Sequence, residues 1–506
     1  MKYSTARHQV SELAHGQLWA FFALIVYTPL PLASNRPWAL ALLGVLTGCL
    51  FLWNLWRPAG RSMAFVWQSA KTPLILIGLW IMLLAIQLVP LPDAWINMLD
   101  HRAVFTTPGL SAETISIDPY STRLYLAKAC ILAMVFWLAV TLIYTRRRIE
   151  WLAKVVVISG LLQALVGVVI TSTGTTFQLF FVELVNPRAH GTFVYPNHYA
   201  GYLELTLAMG IGLMIAKLDG RISINWRQRL HGWLAVIISG KAMLRLALII
   251  MVVGLVASRS RMGNAAFFAS LLIIGVLTVI FTKRASCKTH DRQSTNMMHS
   301  TILFIMSLIV LDVVIIGGMV GVEKVVQRIE HTNLQTQSSL AKLSEVRLIV
   351  TPSSGNVQPI QVYHNEQSVE ERSEAALPSL QIIRDFPWLG TGGGTFYLSF
   401  PHYRPSEVRE YYNHPHNDFI EFASEVGLTG LLLLAAMVAH SAWQSLMLLV
   451  QGRDQLARGM AFASLMGMTS LLIHGAVDFN FQNPANAMLF LILLSLPYVF
   501  KSLLKR

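Results

Sequence analysis

The stretch His414–Ala439, HPHNDFIEFASEVGLTGLLLLAAMVA, opens with two histidines, an amide, an aspartate and two glutamates and closes in an unbroken apolar run. Only 13% of the 506 residues are charged and 54% are hydrophobic, against about 25% charged in soluble domains. So many titratable groups at the mouth of one apolar run predict a helix that leaves a bilayer and enters a chemical site.

Working outward, similar apolar runs recur at about 18–34, 37–56, 73–92, 123–145, 150–172, 198–217, 233–257, 262–282, 301–322, 427–450, 459–477 and 485–503. Each is about long enough, as a helix, to cross roughly 30 Å of hydrocarbon. The fold class expected is therefore an all-α polytopic membrane protein of about 12 transmembrane helices. The seventh run is the weakest, because Lys241 and Arg245 interrupt it.

Charge sets the orientation. Arg57, Arg61 and Lys71 follow the second run, Arg146 to Arg148 the fourth, and Lys217, Arg221, Arg227 and Arg229 the sixth. Lys283, Arg284, Lys288 and Arg292 follow the eighth, Arg453 and Arg458 the tenth, and Lys501, Lys505 and Arg506 the twelfth. Cytoplasmic segments are the basic ones, so these segments and both termini are expected in the cytoplasm. The net charge of +13 thus reads as a topology signal, and no nucleic-acid partner is expected. The N-terminal MKYSTARHQVSELAHGQ lacks a small-residue cleavage site, so the first run reads as a retained helix. Cys49 and Cys130 lie in apolar runs and Cys287 in a basic loop, which predicts neither a disulfide framework nor a zinc site.

Three parts follow. Residues 1–322 carry helices 1–9, residues 323–426 form one long outer segment bearing part of the site, and residues 427–506 carry helices 10–12. Within the long segment, QTQSSLAKLSEVRL reads as an amphipathic helix and TPSSGNVQPIQVYHNEQS as a loop. ERSEAALPSLQIIRD returns to helical periodicity with Pro378 interrupting it.

All the unusual polar clusters fall on the expected outer side: Asn186–Tyr202, Ser258–Gly263, Arg384–Asn417 and His474–Asn483. Arg259 and Arg261 sit in a turn where positive charge is disfavoured. They serve either as headgroup anchors or structural ion pairs, or as a clamp for an anionic ligand, since a planar guanidinium fork suits phosphate oxygens. Arg188 and Arg404 could join such a clamp. Pro415 suits the first position of a helix, so the helix is expected to start near His414, placing Asn417, Glu421 and Glu425 on one face. His416 at its mouth could accept a hydroxyl proton. A capped helix entry with solvated acids is the plainer alternative. The glycine run GTGGGTF, Gly390–Phe396, lacks the Gly-Lys-Ser/Thr ending of a phosphate loop; it reads as a tight turn bringing backbone close to a ligand or to neighbouring helices. The outer loops show no metal-ligand spacing, and no metal or cofactor is expected.

GTFVYPNHYAGYLE, SRSRMG, DFPWLGTGGGTF, HNDFIEFASEVGLTG and VDFNFQNPANA together resemble the bacterial O-antigen ligase and O-antigen polymerase superfamily, from about Arg188 to about Phe490. The resemblance implies a GT-C-like inner-membrane glycosyltransferase with a periplasmic active site. Its donor would be an undecaprenyl-diphosphate-linked glycan, its acceptor a second glycan or the lipid A core, and a chain-length regulator is a candidate partner. It implies an inverting mechanism without metal or ATP. It further implies His416 as the residue that positions or deprotonates the acceptor hydroxyl, with His414 as the competing histidine and Glu421 beside them. Arg261 and Arg188 would hold the diphosphate, with Arg259, Arg404 and, by a looser alignment, Arg372. Asn417, Asn197 and Asp478 would position the acceptor or the loops. Two other classes stay open: a twelve-helix secondary transporter or lipid-linked glycan flippase, and a noncatalytic membrane scaffold. Against transport, the chain has no internal repeat, and its polar residues gather at one face rather than at mid-membrane.

Overall fold

A computed structural model of the chain describes residues 16–58, 61–92, 114–174, 177–179, 182–184, 188–217, 240–289, 369–406, 412–451 and 454–501. The protein is a helical bundle. Its long elements are α1 (Gly16–Tyr27), α2 (Pro37–Trp56), α3 (Met63–Ile86), α4 (Pro119–Leu142), α5 (Arg146–Thr173), α6 (Pro196–Ala216), α7 (Gly240–Ala257) and α8 (Arg261–Thr289). After these come α9 (Val369–Asp385), the short α10 (Phe396–Ser399), α11 (Asp418–Gln451), α12 (Gln455–Gly475) and α13 (Pro484–Lys501). A two-stranded antiparallel hairpin pairs Phe177–Leu179 with Val182–Leu184, and an isolated antiparallel bridge joins Pro90 to Thr114.

Eight of these helices are long and apolar enough to cross a membrane, and α1, α7 and α13 are shorter apolar helices. The chain is a multi-pass membrane protein. Eleven of the twelve expected runs overlap described helices, while the ninth, 301–322, and both expected features of 335–368 lie outside the described residues. The third run is displaced. The helix spans Met63–Ile86 with Pro73 inside it, and Ala70 leaves helical geometry (φ −128°, ψ 24°), because Pro73 cannot donate to the preceding turn.

The helices sort by burial. In α6, 94% of the spanning window is buried, and in α12 78%, against 28% in α2 and α3. Close approach makes the central pair possible. A Cβ on Gly212 would meet the Gly459 carbonyl and lie 2.7 Å from Ala463 Cβ; one on Gly459 would meet the Gly212 carbonyl and lie 2.8 Å from Ala216 Cβ. Small residues at such crossings let helix backbones touch, which is how association proceeds where lipid offers no hydrophobic drive.

One element is broken. Gly427 within α11 has φ +69° and ψ 177°, a conformation that only glycine adopts readily. The break splits the element into an acidic entry turn and a long apolar stem. Its freed carbonyls are met by the glycine run: Thr391 N donates to Ser424 O (3.0 Å) and Gly392 N to Glu425 O (2.8 Å), while Leu428 N donates to Pro387 O (2.7 Å). From α3, the Gln87 amide donates to Leu389 O (2.6 Å) and Glu425 O (3.0 Å) and accepts from Gly393 N (3.1 Å). The expectation of a tight turn against neighbouring helices thus describes what the run does here.

Replacing Gly427 with alanine would drive a Cβ into the Trp388 carbonyl. Gly427→Ala is expected to cost at least about 1–3 kcal/mol from backbone strain, read as a lower thermal unfolding midpoint in detergent. Gly48→Ala, whose Cβ would meet nothing within 4 Å, should leave the midpoint unchanged.

Candidate active site

Helix α11 begins at Asp418, not near His414. Asn417 is the cap: its side-chain oxygen accepts from Phe419 N (3.0 Å) and Ile420 N (3.1 Å), and its amide donates to Ala476 O (2.7 Å). The capping amide outcompetes the proline for the helix start, so Asn417 stands at the cap one turn before Glu421, whose N donates to its carbonyl (3.0 Å). His414 and His416 therefore belong to an irregular strap ahead of the helix. His416 stands at φ +52°, a region a non-glycine residue seldom occupies.

Both histidines close on one ring. His414 stacks on Phe479 at 4.2 Å and 15°, and His416 meets its edge at 5.1 Å and 72°. His198 and Tyr195 pack against the same ring at 4.7 Å and 5.8 Å. The loop that carries Phe479 is held from several sides. Lys128 Nζ donates to Phe481 O (3.3 Å), Gln482 O (2.8 Å) and Gln482 Oε1 (3.2 Å). Asn486 Nδ2 donates to His198 O (3.0 Å), and Phe481 N donates to the Asp418 carboxylate.

Each histidine has a carboxylate behind it. His414 Nδ1 lies 2.8 Å from Oε1 of Glu421, which is 2% exposed. His416 Nδ1 lies 3.9 Å from Asp478 Oδ1. Although a third of the His414 side chain is accessible, loss of water around the ring pushes its pKa down from 6.5 to about 4. Nearby Glu425 and Asp478 oppose that shift, and Lys128 adds to it. A neutral imidazole with one nitrogen held by a carboxylate leaves the other nitrogen able to take a proton.

On the opposite flank, Arg188 Nε donates to Ser258 O (2.8 Å) and Nη2 to Asn197 Oδ1 (3.0 Å), and Asn197 Nδ2 donates to Asp478 Oδ2 (2.6 Å). Three segments far apart in sequence, at 188–197, 258 and 478, thus form one hydrogen-bonded line. Arg259 and Arg261 lie exposed in the adjoining turn, Arg259 at φ +52°. Ser260 caps α8, its Oγ accepting from Gly263 N (3.2 Å), so a long helix points its positive end at the same place as the arginines. Arg404 is exposed in the loop after α10. The backbone at Arg372 belongs to α9, but its side chain lies outside the described residues.

Residues 246–435 match a family model described as O-antigen ligase. This match supports membership of the O-antigen ligase/polymerase superfamily. No curated protein matches it. The O-antigen ligase segment contains the 258–261 turn and the His414–Glu421 pair. It excludes Arg188, Asn197, Asp478 and Phe479, which the fold brings to the same place. Sequence reading missed Lys128 and Glu204 as parts of this assembly, while His474 and Phe479 fell inside the His474–Asn483 cluster without a role of their own. For Lys128 and Glu204 a signal existed: a lone charge inside an apolar run needs a partner.

The His414 titration gives a test. Unfolded, the imidazole binds its proton near 6.5, and folded only near 4, so protonation favours the unfolded chain and stability is lost as pH falls through that window. His414→Gln should therefore lose less of its thermal midpoint than the unsubstituted protein between about pH 7 and about pH 4.5, measured in one detergent.

Proposed function

We propose that the protein is an inner-membrane glycosyltransferase of the polymerase or ligase kind, GT-C-like in fold, with its site on the periplasmic face. It would move a glycan from undecaprenyl diphosphate to a hydroxyl of a second glycan or of the lipid A core. The observation that carries this reading is the His414–Glu421 pair, 2.8 Å apart, across one ring from a line of arginine and amide groups.

In the step proposed, the acceptor hydroxyl gives its proton to the imidazole as its oxygen bonds to the anomeric carbon. The bond from that carbon to the diphosphate oxygen breaks on the opposite side, and undecaprenyl diphosphate leaves with inversion. Arg188, Arg259 and Arg261 supply charge to the leaving diphosphate, aided by the N-terminus of α8. Arg404 and Arg372 stay candidates for the same role. An apolar cavity of about 440 Å³ among Trp80, Lys128, Phe419, Phe422, Phe481 and Met437 lies against the entry turn of α11 and suits a stretch of donor lipid. The basic segments that follow the even-numbered apolar runs support cytoplasmic termini. Asn417, Asn197 and Asp478 act as positioning groups. A chain-length regulator fits a polymerase reading.

His414 is the residue best equipped as base, since Glu421 already orients it. Asp478, 3.9 Å from His416, favours His416 as the second reading, because catalytic hydrogen bonds often tighten only with substrate bound. The test is glycan transfer by purified protein given undecaprenyl-diphosphate glycan and acceptor, without ATP or added metal. Loss of the base should lower kcat by about 10²–10⁴-fold, and Arg261→Ala should weaken use of the donor. If His416→Gln shows the larger fall, the base is His416. Full transfer in both histidine variants removes the mechanism, and lipid-linked glycan crossing the membrane without transfer would instead identify a flippase.

A further inference from the structure

Behind the histidines lies a second carboxylate–imidazole pair that the proposed step does not use. Glu204, fully buried midway along α6, receives His474 Nδ1 at 2.7 Å on Oε1 and Ser470 Oγ at 2.6 Å on Oε2. His474 is also fully buried, and its Nε2 lies 3.8 Å from Asp478 Oδ2. Asp478 in turn holds Asn197, which holds Arg188, and it faces His416. Glu204 Oε1 would lie 3.2 Å from a Cβ on Gly263, so the first turn of α8, which begins at Arg261 and follows Arg259, approaches it closely. Asn197 and Glu204 stand seven residues apart, two turns on one face of α6.

Packing does not require this pair. The crossing of α6 with α12 is already secured by Gly212 and Gly459. A buried ion pair stabilises a fold weakly, and apolar replacements of similar volume are often neutral or better. An ionisable residue kept inside a membrane bundle therefore calls for another role.

We propose that Glu204 is a positioning residue for the transfer reaction. Through His474 it fixes Asp478, and so His416, Asn197 and Arg188. Through its contact with the Gly263 turn it fixes the arginine-bearing start of α8. The base side and the leaving-group side are thereby held in register by one buried carboxylate. This inference rests on the glycosyltransferase reading above.

The test uses Glu204→Gln, which keeps the shape, Glu204→Leu, which removes the polar group, and Glu204→Asp as conservative rescue. Thermal midpoint, donor KM, kcat and the ¹⁵N-histidine NMR signals of His474 and His416 are measured on the full chain in detergent. The expected result is a kcat about 10–100-fold lower in Glu204→Gln and Glu204→Leu, the size seen when outer supporting groups are lost. Donor KM should stay within about threefold, Glu204→Asp should recover part of kcat, and the thermal midpoint should not fall in proportion. The His416 signal should move although Glu204 does not touch it. Unchanged kcat in Glu204→Leu, or movement of the His474 signal alone, would overturn the proposal. If the unsubstituted protein transfers no glycan, the functional reading has failed, and the His416 signal alone then decides whether Glu204 positions that ring.

Discussion

A helix broken inside a protein must find donors for the carbonyls it releases, and the break at Gly427 sets that demand at the heart of this molecule. The glycine run 390–394 answers it with backbone N–H groups, and Gln87 bridges the two. Orphaned buried carbonyls are costly, so the loop, the kink and α3 are fixed together. The acidic entry turn of α11 is thereby aimed away from the axis of its own apolar stem. Without that change of direction, Glu421 would not stand beneath His414.

The polar groups gathered at this end of the bundle balance each other's burial. Asp418 is bonded by the Phe481 amide, Glu425 by the Phe396 amide, and Glu421 by His414. Each carboxylate is nearly fully buried, a condition that is tolerable only with partners. Phe479 is the shared apolar surface on which the histidines are spaced. Its neighbour Asp478 links the amide of Asn197 to the imidazoles. Distant parts of the chain contribute a few side chains each, and no single segment contains the site.

Much of this was written plainly in the sequence. The apolar runs mark the helices because a bilayer demands about 20 apolar residues per crossing. Arg188 and Asn197, Ser258, the two histidines at 414 and 416, and Asp478 come from the four polar clusters and meet at one end of the bundle, because charge near a membrane end is costly and therefore informative. Local rules failed where tertiary contacts override them. Pro415 invited a helix start, but Asn417 caps a helix beginning at Asp418. The GTGGGTF run could not be told from a ligand loop until its partner, a kink 35 residues downstream, was in view. His474 and Glu204 are 270 residues apart, and nothing in either neighbourhood announces the other.

The central helices carry a consequence for how the protein is held in its membrane. α6 and α12 are the most buried spans and also the least apolar, each with hydropathy 1.4, where the other long spans reach 1.8–2.3. The peripheral helices have enough hydrophobicity to partition into lipid on their own. The central pair, bearing Asn197, Glu204, Ser470 and His474, gains most of its stabilisation from neighbouring protein. Its place in the bundle therefore depends on protein neighbours more than on lipid.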